Sequence, residues 1–508
     1  MSLEVTFCGA ARTVTGSQYY LQYTGPDGSK FSFCLDSGLF QTGQKINLFK
    51  INSHLLFDPR TLDAIILTHA HLDHCGRIPY LVKNGFGGKI YSTEATKKIA
   101  EVVMSDAARL HTENQKSDFS PLRGLKKSDL SSQVNKIEFD GEYLKHLSKI
   151  ALESENLGLY SQEHVAKAMR RFKTYEYHKK FRIHPNLEIE FFDAGHILGS
   201  AYVTITEVSS NKQIIFSGDF GNYNKPIIRD PEVPKKLKNT THVFIETTYG
   251  NRYHGKLNPK ERLRKIISET VRQQGKVLLP SFSVERAQEV IYYIVELMQD
   301  NKLPKIPIFL DSPMASKILE ICLGHPELYD DDLQDKISNS ANPLIYKGIQ
   351  ILETSAQSKR LNQFQKPCII VAGSGMLTGG RILKHLYFHL ENPKNTLLMV
   401  GYQAVGTLGR LIWDGTKEVE VENKTLQVLT RVENINEFSA HADQKILKKW
   451  VVDIVNQADF ETNTKAKLFL MHGEKEASLG FGKEIEASLP SQVESYWPKF
   501  GEKVTLWK

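Results

Sequence analysis

A dense group of potential metal ligands lies in the hexapeptide His69-Ala-His-Leu-Asp-His74. Three histidines and one aspartate fall within six residues, and imidazole and carboxylate are ligand types that suit Zn²⁺. The apolar run at residues 64–67 lies just before them and predicts a buried strand that ends in a loop. A His-rich surface loop is the alternative, and the strand context argues against it. The hexapeptide therefore indicates a metal site.

The spacing within the hexapeptide favours two ions rather than one. Its first two histidines can converge on one ion in a tight loop, while the aspartate and the last histidine can turn toward a second ion. Two-metal sites are typical of enzymes that cleave phosphodiester bonds. The chemistry indicated by the hexapeptide alone is therefore metal-assisted hydrolysis.

Three later apolar segments also read as strands, and a turn of small residues with one more candidate ligand follows each of them. The segments are residues 187–193, 213–216 and 467–471, and the candidates after them are His196, Asp219 and His472. Residues just past the end of a buried strand point into the crevice above the sheet. Four strand ends thus supply five histidines and two aspartates, which predicts a single shared site.

The order of these motifs resembles that of the metallo-β-lactamase superfamily, whose HxHxDH signature matches the hexapeptide. Asp36 resembles its first motif, and His196 and Asp219 its third and fourth. The middle of the chain narrows the likeness to the β-CASP nucleases, whose motifs A, B and C resemble the segments around Glu246, His441 and His472. The likeness covers nearly the whole chain. It is greatest to prokaryotic homologues of the endonuclease that cleaves eukaryotic pre-mRNA before polyadenylation.

This resemblance implies an α/β fold in which an αββα metallo-β-lactamase sandwich carries an inserted β-CASP α/β domain. Residues 1–240 would form the first part of the sandwich, residues 241–432 the β-CASP domain and residues 433–508 the returning part. The active site is then expected in the cleft between the two domains.

The inserted part shows strands that alternate with helices, which favours a parallel sheet. Pro259 sits near the start of one helical pattern, and apolar residues at helical spacing over residues 285–299 predict a second helix. The predicted strands are residues 276–279, 306–310 and 368–371.

The resemblance also implies a set of roles around two Zn²⁺ ions. One ion would be held by His69, His71, His196 and Asp219, and the other by Asp73, His74, Asp219 and His472. The residues with catalytic roles would be Asp73, Glu246 and His441, with His441 as general acid oriented by Glu246. Asp36 would hydrogen-bond a ligand histidine, or else cap the turn at residues 37–38.

Substrate contacts are less sharply marked by the sequence. Gly373, Ser374 and Gly375 follow a predicted strand, where backbone amides could cradle a phosphate or simply form a tight turn. The other candidates for phosphate contacts are Ser439, Arg286, Lys359, Arg381 and Lys384. Residues 166–182 mix cations with aromatic rings, which fits single-stranded nucleic acid. A helix that runs into a strand with its rings in the core is the alternative there.

Composition agrees with a globular protein that acts on a polyanion. The chain has 508 residues, 41% hydrophobic and 24% charged, with a net charge of +7. No apolar run approaches the ~20 residues that span a bilayer, so no membrane association is expected. Five scattered cysteines without a CxxC pair indicate reduced thiols and a cytoplasmic location. The sequence leaves the oligomeric state open, a homodimer included, and residues 112–155 read as a polar excursion near the cleft or a partner-binding appendage.

Three classes of function fit these observations. A zinc-dependent ribonuclease that cuts single-stranded RNA internally is favoured. A DNA nuclease or another hydrolase of the same fold is the second class, but the family's DNA-specific members tend to lack the histidine that His472 supplies. A non-catalytic RNA-binding scaffold is the third, and the intact ligand set argues against it.

Overall fold

The computed structural model describes residues 1–41, 48–116, 158–235, 237, 239–255, 258–401, 403, 406–458, 466–491 and 493–508. Most of the predicted excursion at residues 112–155 lies outside these ranges. The described strands are β1 (Ser2–Phe7), β2 (Tyr19–Thr24), β3 (Lys30–Leu35), β4 (Ala64–Ile66), β5 (Lys89–Ser92), β6 (Phe172–Thr174), β7 (Phe181–His184), β8 (Leu187–Asp193), β9 (Ala201–Glu207), β10 (Gln213–Phe216), β11 (Thr240–Glu246), β12 (Val277–Pro280), β13 (Ile308–Asp311), β14 (Ile349–Ile351), β15 (Ile369–Ala372), β16 (Thr396–Met399), β17 (Glu418–Val421), β18 (Lys424–Gln427), β19 (Arg431–Asn434), β20 (Ala466–Met471), β21 (Val493–Tyr496) and β22 (Lys503–Trp507).

The described helices connect these strands along the chain. They are α1 (Leu48–Ser53), α2 (Leu72–Cys75), α3 (Ile78–Lys83), α4 (Glu94–Lys116), α5 (Gln162–Met169), α6 (Pro259–Arg272), α7 (Arg286–Gln299), α8 (Pro313–Leu323), α9 (Asp331–Ser338), α10 (Ser355–Leu361), α11 (Arg381–His389), α12 (Leu408–Trp413), α13 (Gln444–Gln457) and α14 (Lys475–Glu486). None of them is long and apolar enough to pass through a bilayer.

Two seven-stranded sheets form the first body of the fold. Their strand orders are β22-β1-β2-β3-β4-β5-β6 and β21-β20-β11-β10-β9-β8-β7. Alternating apolar residues of β1 and β8 are buried between the sheets, as the period of a half-buried strand requires. In this interior the ring of Phe244 stacks on Phe216 at 3.8 Å and on Phe469 at 4.4 Å between centroids. The two sheets therefore share one apolar core.

Helices cover the outer faces of this pair of sheets. Apolar residues of α4 pack with those of β4 and β5 on one side. On the other side, α13 and α14 pack against β10, β11 and β20. The predicted αββα layering is confirmed.

A third sheet lies in the inserted part of the chain, with strand order β14-β13-β15-β12-β16-β19. All its pairs are parallel, as predicted from the alternation of strands and helices. The three predicted strands are present, each shifted by one or two residues. Helix α6 begins at Pro259, and the side chain of Asn258 caps it by accepting hydrogen bonds from the amides of Lys260 and Glu261.

Two strands lie across the predicted domain boundaries. Strand β11 spans residues 240–246 and pairs inside the second seven-stranded sheet, between β10 and β20. Strand β19 spans residues 431–434 and is the edge of the third sheet, beside β16. The chain crosses between the sheets just after β11 and just after β19. The domain limits at residues 240 and 432 stay a prediction.

Trp450 on α13 tests how much the outer helix layer contributes to stability. Its ring is fully buried 4.7 Å from that of Phe220, and its Nε1 donates a hydrogen bond to the Glu232 carbonyl at 3.1 Å. We expect Trp450→Ala to lower the free energy of unfolding by about 3–5 kcal/mol, because it leaves a large cavity. Urea unfolding followed by circular dichroism measures this change. Trp413→Ala is the control, since that ring is 43% exposed, and an equal loss in both variants would contradict the expectation.

Candidate active site

The candidate ligands, and Asp36 beside them, all follow the carboxyl ends of strands in the two seven-stranded sheets. Asp36 follows β3 and the hexapeptide at residues 69–74 follows β4. The loops after β8, β10 and β20 carry the remaining candidates, which are His196, Asp219 and His472. These loops all lie at the same edge of the sandwich. The distant segments therefore meet there, as the sequence predicts.

Two glycines allow these loops to approach one another closely. A Cβ on Gly38 would lie 1.6 Å from the Asp73 carbonyl oxygen, inside the hexapeptide loop. A Cβ on Gly221 would lie 1.6 Å from the Gly195 carbonyl oxygen and 2.7 Å from the His196 amide nitrogen. Any side chain at either position would therefore push ligand loops apart.

The first ligand group contains His69, His71, His196 and one oxygen of Asp219. His71 Nδ1 lies 3.1 Å from the Nε2 atoms of both His69 and His196. Asp219 Oδ2 lies 3.4 Å from His69 Nε2 and 3.6 Å from His196 Nε2. Four donor atoms from three loops thus surround a single point.

The second ligand group contains Asp73, His74 and His472. His472 Nε2 lies 3.3 Å from His74 Nε2 and 3.4 Å from Asp73 Oδ2. The other oxygen of Asp219, Oδ1, lies 3.3 Å from His74 Nε2 and 3.5 Å from His472 Nδ1. Asp219 therefore presents one oxygen to each group.

The spacing of these donor atoms fits tetrahedral metal coordination. Ligands at about 2.0–2.1 Å from a zinc ion lie roughly 3.3–3.4 Å from each other when the geometry is tetrahedral. Most distances in both groups fall close to that value. Asp219 Oδ1 is buried and accepts no hydrogen bond from the described residues, which is costly unless a cation faces it. The residues present therefore fit two divalent ions.

The imidazoles of the first group have lone pairs free for a metal. Burial lowers the pKa of His69 to about 3 and that of His71 to about 4. Burial also lowers the pKa of His196 well below its ordinary value. All three rings are therefore neutral at pH 7, the state in which histidine binds a metal.

Asp36 supports this site from behind the ligands. Its Oδ2 lies 2.8 Å from His74 Nδ1, and its Oδ1 accepts a hydrogen bond from the Thr68 amide at 2.8 Å. Asp36 therefore contacts a predicted ligand histidine, which fits the first of its two predicted roles. Its contact with Thr68 also holds the chain just before His69.

The pair formed by Glu246 and His441 lies beside both groups. His441 Nδ1 is 3.0 Å from Glu246 Oε1, and His441 Nε2 is 3.9 Å from Asp219 Oδ2. Backbone amides of Phe220 and Thr248 donate to the two Glu246 oxygens at 3.1 and 3.0 Å. Burial works to lower the pKa of His441, but the carboxylates of Glu246 and Asp219 outweigh it and raise that pKa to about 9. The ring also lies within reach of a metal beside Asp219 and His472.

Residues that the sequence analysis missed hold the His441 loop in place. The Asn222 amide donates to the carbonyls of Ser439 and His441 at 2.9 and 2.7 Å. Lys225 donates to the Phe438 carbonyl at 3.2 Å and to Glu289 at 2.6 Å. The only sequence signal for these contacts was the position of both residues a few places after Asp219.

The predicted phosphate contacts fall into two sets. Arg286 is buried, with its guanidinium 2.7 Å from Glu289, so its charge serves an internal ion pair rather than an accessible surface. Arg381 donates to Asp311 at 2.6 Å and to two backbone carbonyls, which also ties it to the fold. The prediction that these two arginines contact phosphate is corrected for the same physical reason, since each is paired with a carboxylate of the inserted part. Lys359, on α10, is exposed.

The turn at residues 373–375 follows β15, and residues 376–380 connect it to α11. Ser374 Oγ accepts a hydrogen bond from the Thr378 amide at 3.0 Å, and the Gly373 carbonyl accepts one from the Ile382 amide at 3.0 Å. Both contacts are those of a tight strand-to-helix turn, the alternative given for this segment. Its use by a phosphate stays a prediction, as does that of Ser439.

The aromatic residues within 166–182 face the core, as the alternative for that segment predicts. Phe181 stacks on Tyr175 at 3.8 Å between ring centroids and packs with Tyr91 at 5.4 Å. The Tyr177 hydroxyl donates to the Ser200 carbonyl at 2.7 Å. These rings are therefore engaged within the sandwich rather than free to stack on bases.

Comparison with known proteins gives the same assignment along the whole length of the chain. Residues 27–144 match the metallo-beta-lactamase superfamily, residues 287–412 the Beta-Casp domain and residues 425–498 the Zn-dependent metallo-hydrolase RNA specificity domain. A Thermus thermophilus protein named Ribonuclease TTHA0252 is 32% identical over 98% of this chain and 99% of its own length. The chain belongs to the β-CASP family of the metallo-β-lactamase superfamily. A β-CASP domain inserted in the sandwich, as predicted, accounts for the third sheet.

Two further similar proteins are more distant in sequence. Transcription termination factor FttA of Methanosarcina mazei is 29% identical over 85% of this chain, which spans 62% of the FttA length. A crystal structure of an Enterococcus faecalis V583 protein of unknown function matches over 99% of this chain and 100% of its own, with a TM-score of 0.51 and 11% identity. That likeness shows the shared fold.

Asp36→Asn tests whether the carboxylate behind His74 sets metal affinity. The backbone of Asp36 has a positive φ of 56°, which asparagine tolerates, so the variant should keep the turn. We expect metal affinity to fall by ~10–100-fold, because the charged partner of a ligand histidine is lost. Competition with a chromogenic chelator measures this, and Asp58→Asn at an exposed position controls for loss of charge. An unchanged affinity would assign Asp36 to the turn alone.

Proposed function

We propose that this protein is a metal-dependent ribonuclease that hydrolyses phosphodiester bonds within single-stranded RNA. The observation that carries the proposal is the meeting of two ligand groups on the carboxylate of Asp219, one on each oxygen. A shared carboxylate suits two ions about 3.5–4 Å apart, the arrangement used for in-line displacement at phosphorus. The relative named Ribonuclease TTHA0252, together with the RNA specificity domain, supports RNA as the substrate.

Two zinc ions are the cofactors in this proposal, one in each ligand group. Nitrogen and carboxylate donors at tetrahedral separations form a set that zinc commonly occupies. When bound, such ions lower the pKa of water to near ~7 and offset negative charge on phosphoryl oxygens. The protein's own contribution is a buried pocket in which loops from both sheets hold the ligand atoms together.

His441 is the general acid in this proposal. Its Nδ1 faces Glu246, so its Nε2 is directed to the side where Asp219 lies. From there Nε2 can donate a proton to the oxygen that leaves phosphorus. Glu246 keeps the ring in this orientation and stabilises its protonated form. The His441 side chain is 20% exposed, whereas that of Asp219 is 2% exposed, so the acid is more accessible to a substrate than the shared carboxylate is.

The proposal includes a cytoplasmic location, where RNA is available and thiols stay reduced. All five cysteines are free and buried.

The other classes of function considered from the sequence, a DNA nuclease and a non-catalytic scaffold, differ from this proposal in measurable ways. The two experiments below separate them.

His441→Ala distinguishes an acid from a metal ligand. We expect the variant to keep two zinc ions per chain and to lose RNA cleavage by ~10²–10⁴-fold, since removal of a general acid has effects of that size. Elemental analysis and single-turnover cleavage of labelled RNA measure the two properties on the same protein. Loss of one zinc from the variant would make His441 a ligand, and wild-type protein that is active with fewer than two metals would contradict the two-ion site.

A circular RNA tests internal cutting by the wild-type protein. We expect a single-stranded circle to be opened and a chelator to abolish this, because a flexible strand can bend to bring any phosphate to the buried ligands. Duplex RNA and single-stranded DNA of the same sequence serve as comparisons and should be cleaved much more slowly. A resistant circle with a linear RNA degraded from one end would show exonuclease action. Equal cleavage of DNA would contradict the choice of RNA.

A further inference from the structure

Phe282 is an exposed aromatic residue at the end of a buried strand. It lies two residues after β12, and 39% of its surface is exposed, although β12 itself is fully buried. Phe282 belongs to none of the apolar clusters formed by the described residues. Exposure of such a ring costs hydrophobic free energy, and neither the mechanism nor the core uses it.

Two glycines form the surface on which the Phe282 ring lies. A Cβ on Gly375 would be 2.9 Å from ring atoms Cδ2 and Cε2, and a Cβ on Gly401 would be 3.1 Å from Cε2. The ring therefore rests against the backbone of two turns, which follow β15 and β16, the strands on either side of β12. Because it is supported in this way, little side-chain entropy remains for a ligand to remove.

Hydroxyl groups lie on the same edge of the sheet. Ser283 Oγ and Ser312 Oγ are 3.2 Å apart, and both would lie within 3.8 Å of a Cβ placed on Gly373. The turn that carries Ser374 therefore faces two serine side chains. A ring flanked by hydroxyl donors has the composition of a site for a nucleotide, with a face for the base and donors for phosphate oxygens.

The strand order connects this edge to the proposed acid. In the sequence of strands β15-β12-β16-β19, only β16 separates the strand of Phe282 from β19. Neighbouring strands are about 4.8 Å apart, so the two strand ends are separated by roughly 10 Å. Residues 435–441 continue from β19 to His441, and helix α7 after Phe282 carries Glu289, which pairs with Lys225 beside that loop.

We propose that Phe282 stacks on a base of single-stranded RNA close to the scissile phosphate. This inference rests on the proposed function, because it assigns part of the grip on that substrate. Stacking accepts every base, since each has an aromatic face, so the contact would hold RNA without reading its sequence. In a duplex these faces are covered by neighbouring base pairs, so the contact also selects single strands.

The first test measures binding of a short fluorescent single-stranded RNA to the His441→Ala protein, which should not cleave it. We expect Phe282→Ala in that background to weaken binding by about 5- to 150-fold, the range for loss of one stacked base. Phe282→Tyr keeps an aromatic ring and should bind within about twofold of its parent. Phe388→Ala is the matched control, because that ring is 60% exposed near the far end of helix α11.

The second test removes the base instead of the ring. Single abasic sites are moved along the RNA, and one position should weaken binding to the parent protein as much as Phe282→Ala does. At that position the abasic site should cost nothing further in the Phe282→Ala protein, because the stacking pair is already lost. Additive losses at every position, or full affinity in Phe282→Ala, would overturn the stacking contact. Failure of the parent protein to bind RNA at all would instead overturn the proposed function.

Discussion

The carboxylate of Asp219 is the group on which the remainder of the site depends. It is 2% exposed, and a buried carboxylate is tolerated only when cations or hydrogen-bond donors surround it. Its two oxygens face different sets of side chains, which come from the loops after β4, β8 and β20. Strands from both seven-stranded sheets must therefore end at the same level. The apolar core between the sheets, in which the ring of Phe7 on β1 lies 6.2 Å from that of Phe244 on β11, holds them there.

The pair of Glu246 and His441 is assembled from both parts of the chain. Glu246 is the last residue of β11 in the sandwich, whereas His441 follows β19 of the inserted sheet. Contacts from Asn222, Lys225 and Glu246 bring the His441 loop to the sandwich. The inserted domain therefore takes part in the candidate site, because the residue proposed to protonate the leaving group follows its last strand.

Local pattern was enough to predict which residues converge in the candidate site and much of the fold. An apolar run followed by a turn of small residues is a local pattern that predicts a strand end. Both the hexapeptide after β4 and His472 after β20 follow such a run. Contacts between distant loops leave no such signal, so Asn222 and Lys225 read as ordinary polar loop residues. Arg286 was misjudged because a positive charge suggests phosphate, although Glu289 three residues later marks a helical ion pair. The sequence carries no signal that Phe282, next to a buried strand, is exposed.

The segment from residue 219 to 225 has a consequence for how this protein can change. Within seven residues it contains the oxygen donor common to both ligand groups, the glycine that lets two loops touch, the amide that holds the His441 loop and the lysine that pairs with helix α7. An insertion or deletion here would alter metal binding, acid placement and domain packing together. The length of this heptapeptide should therefore stay fixed while residues elsewhere change.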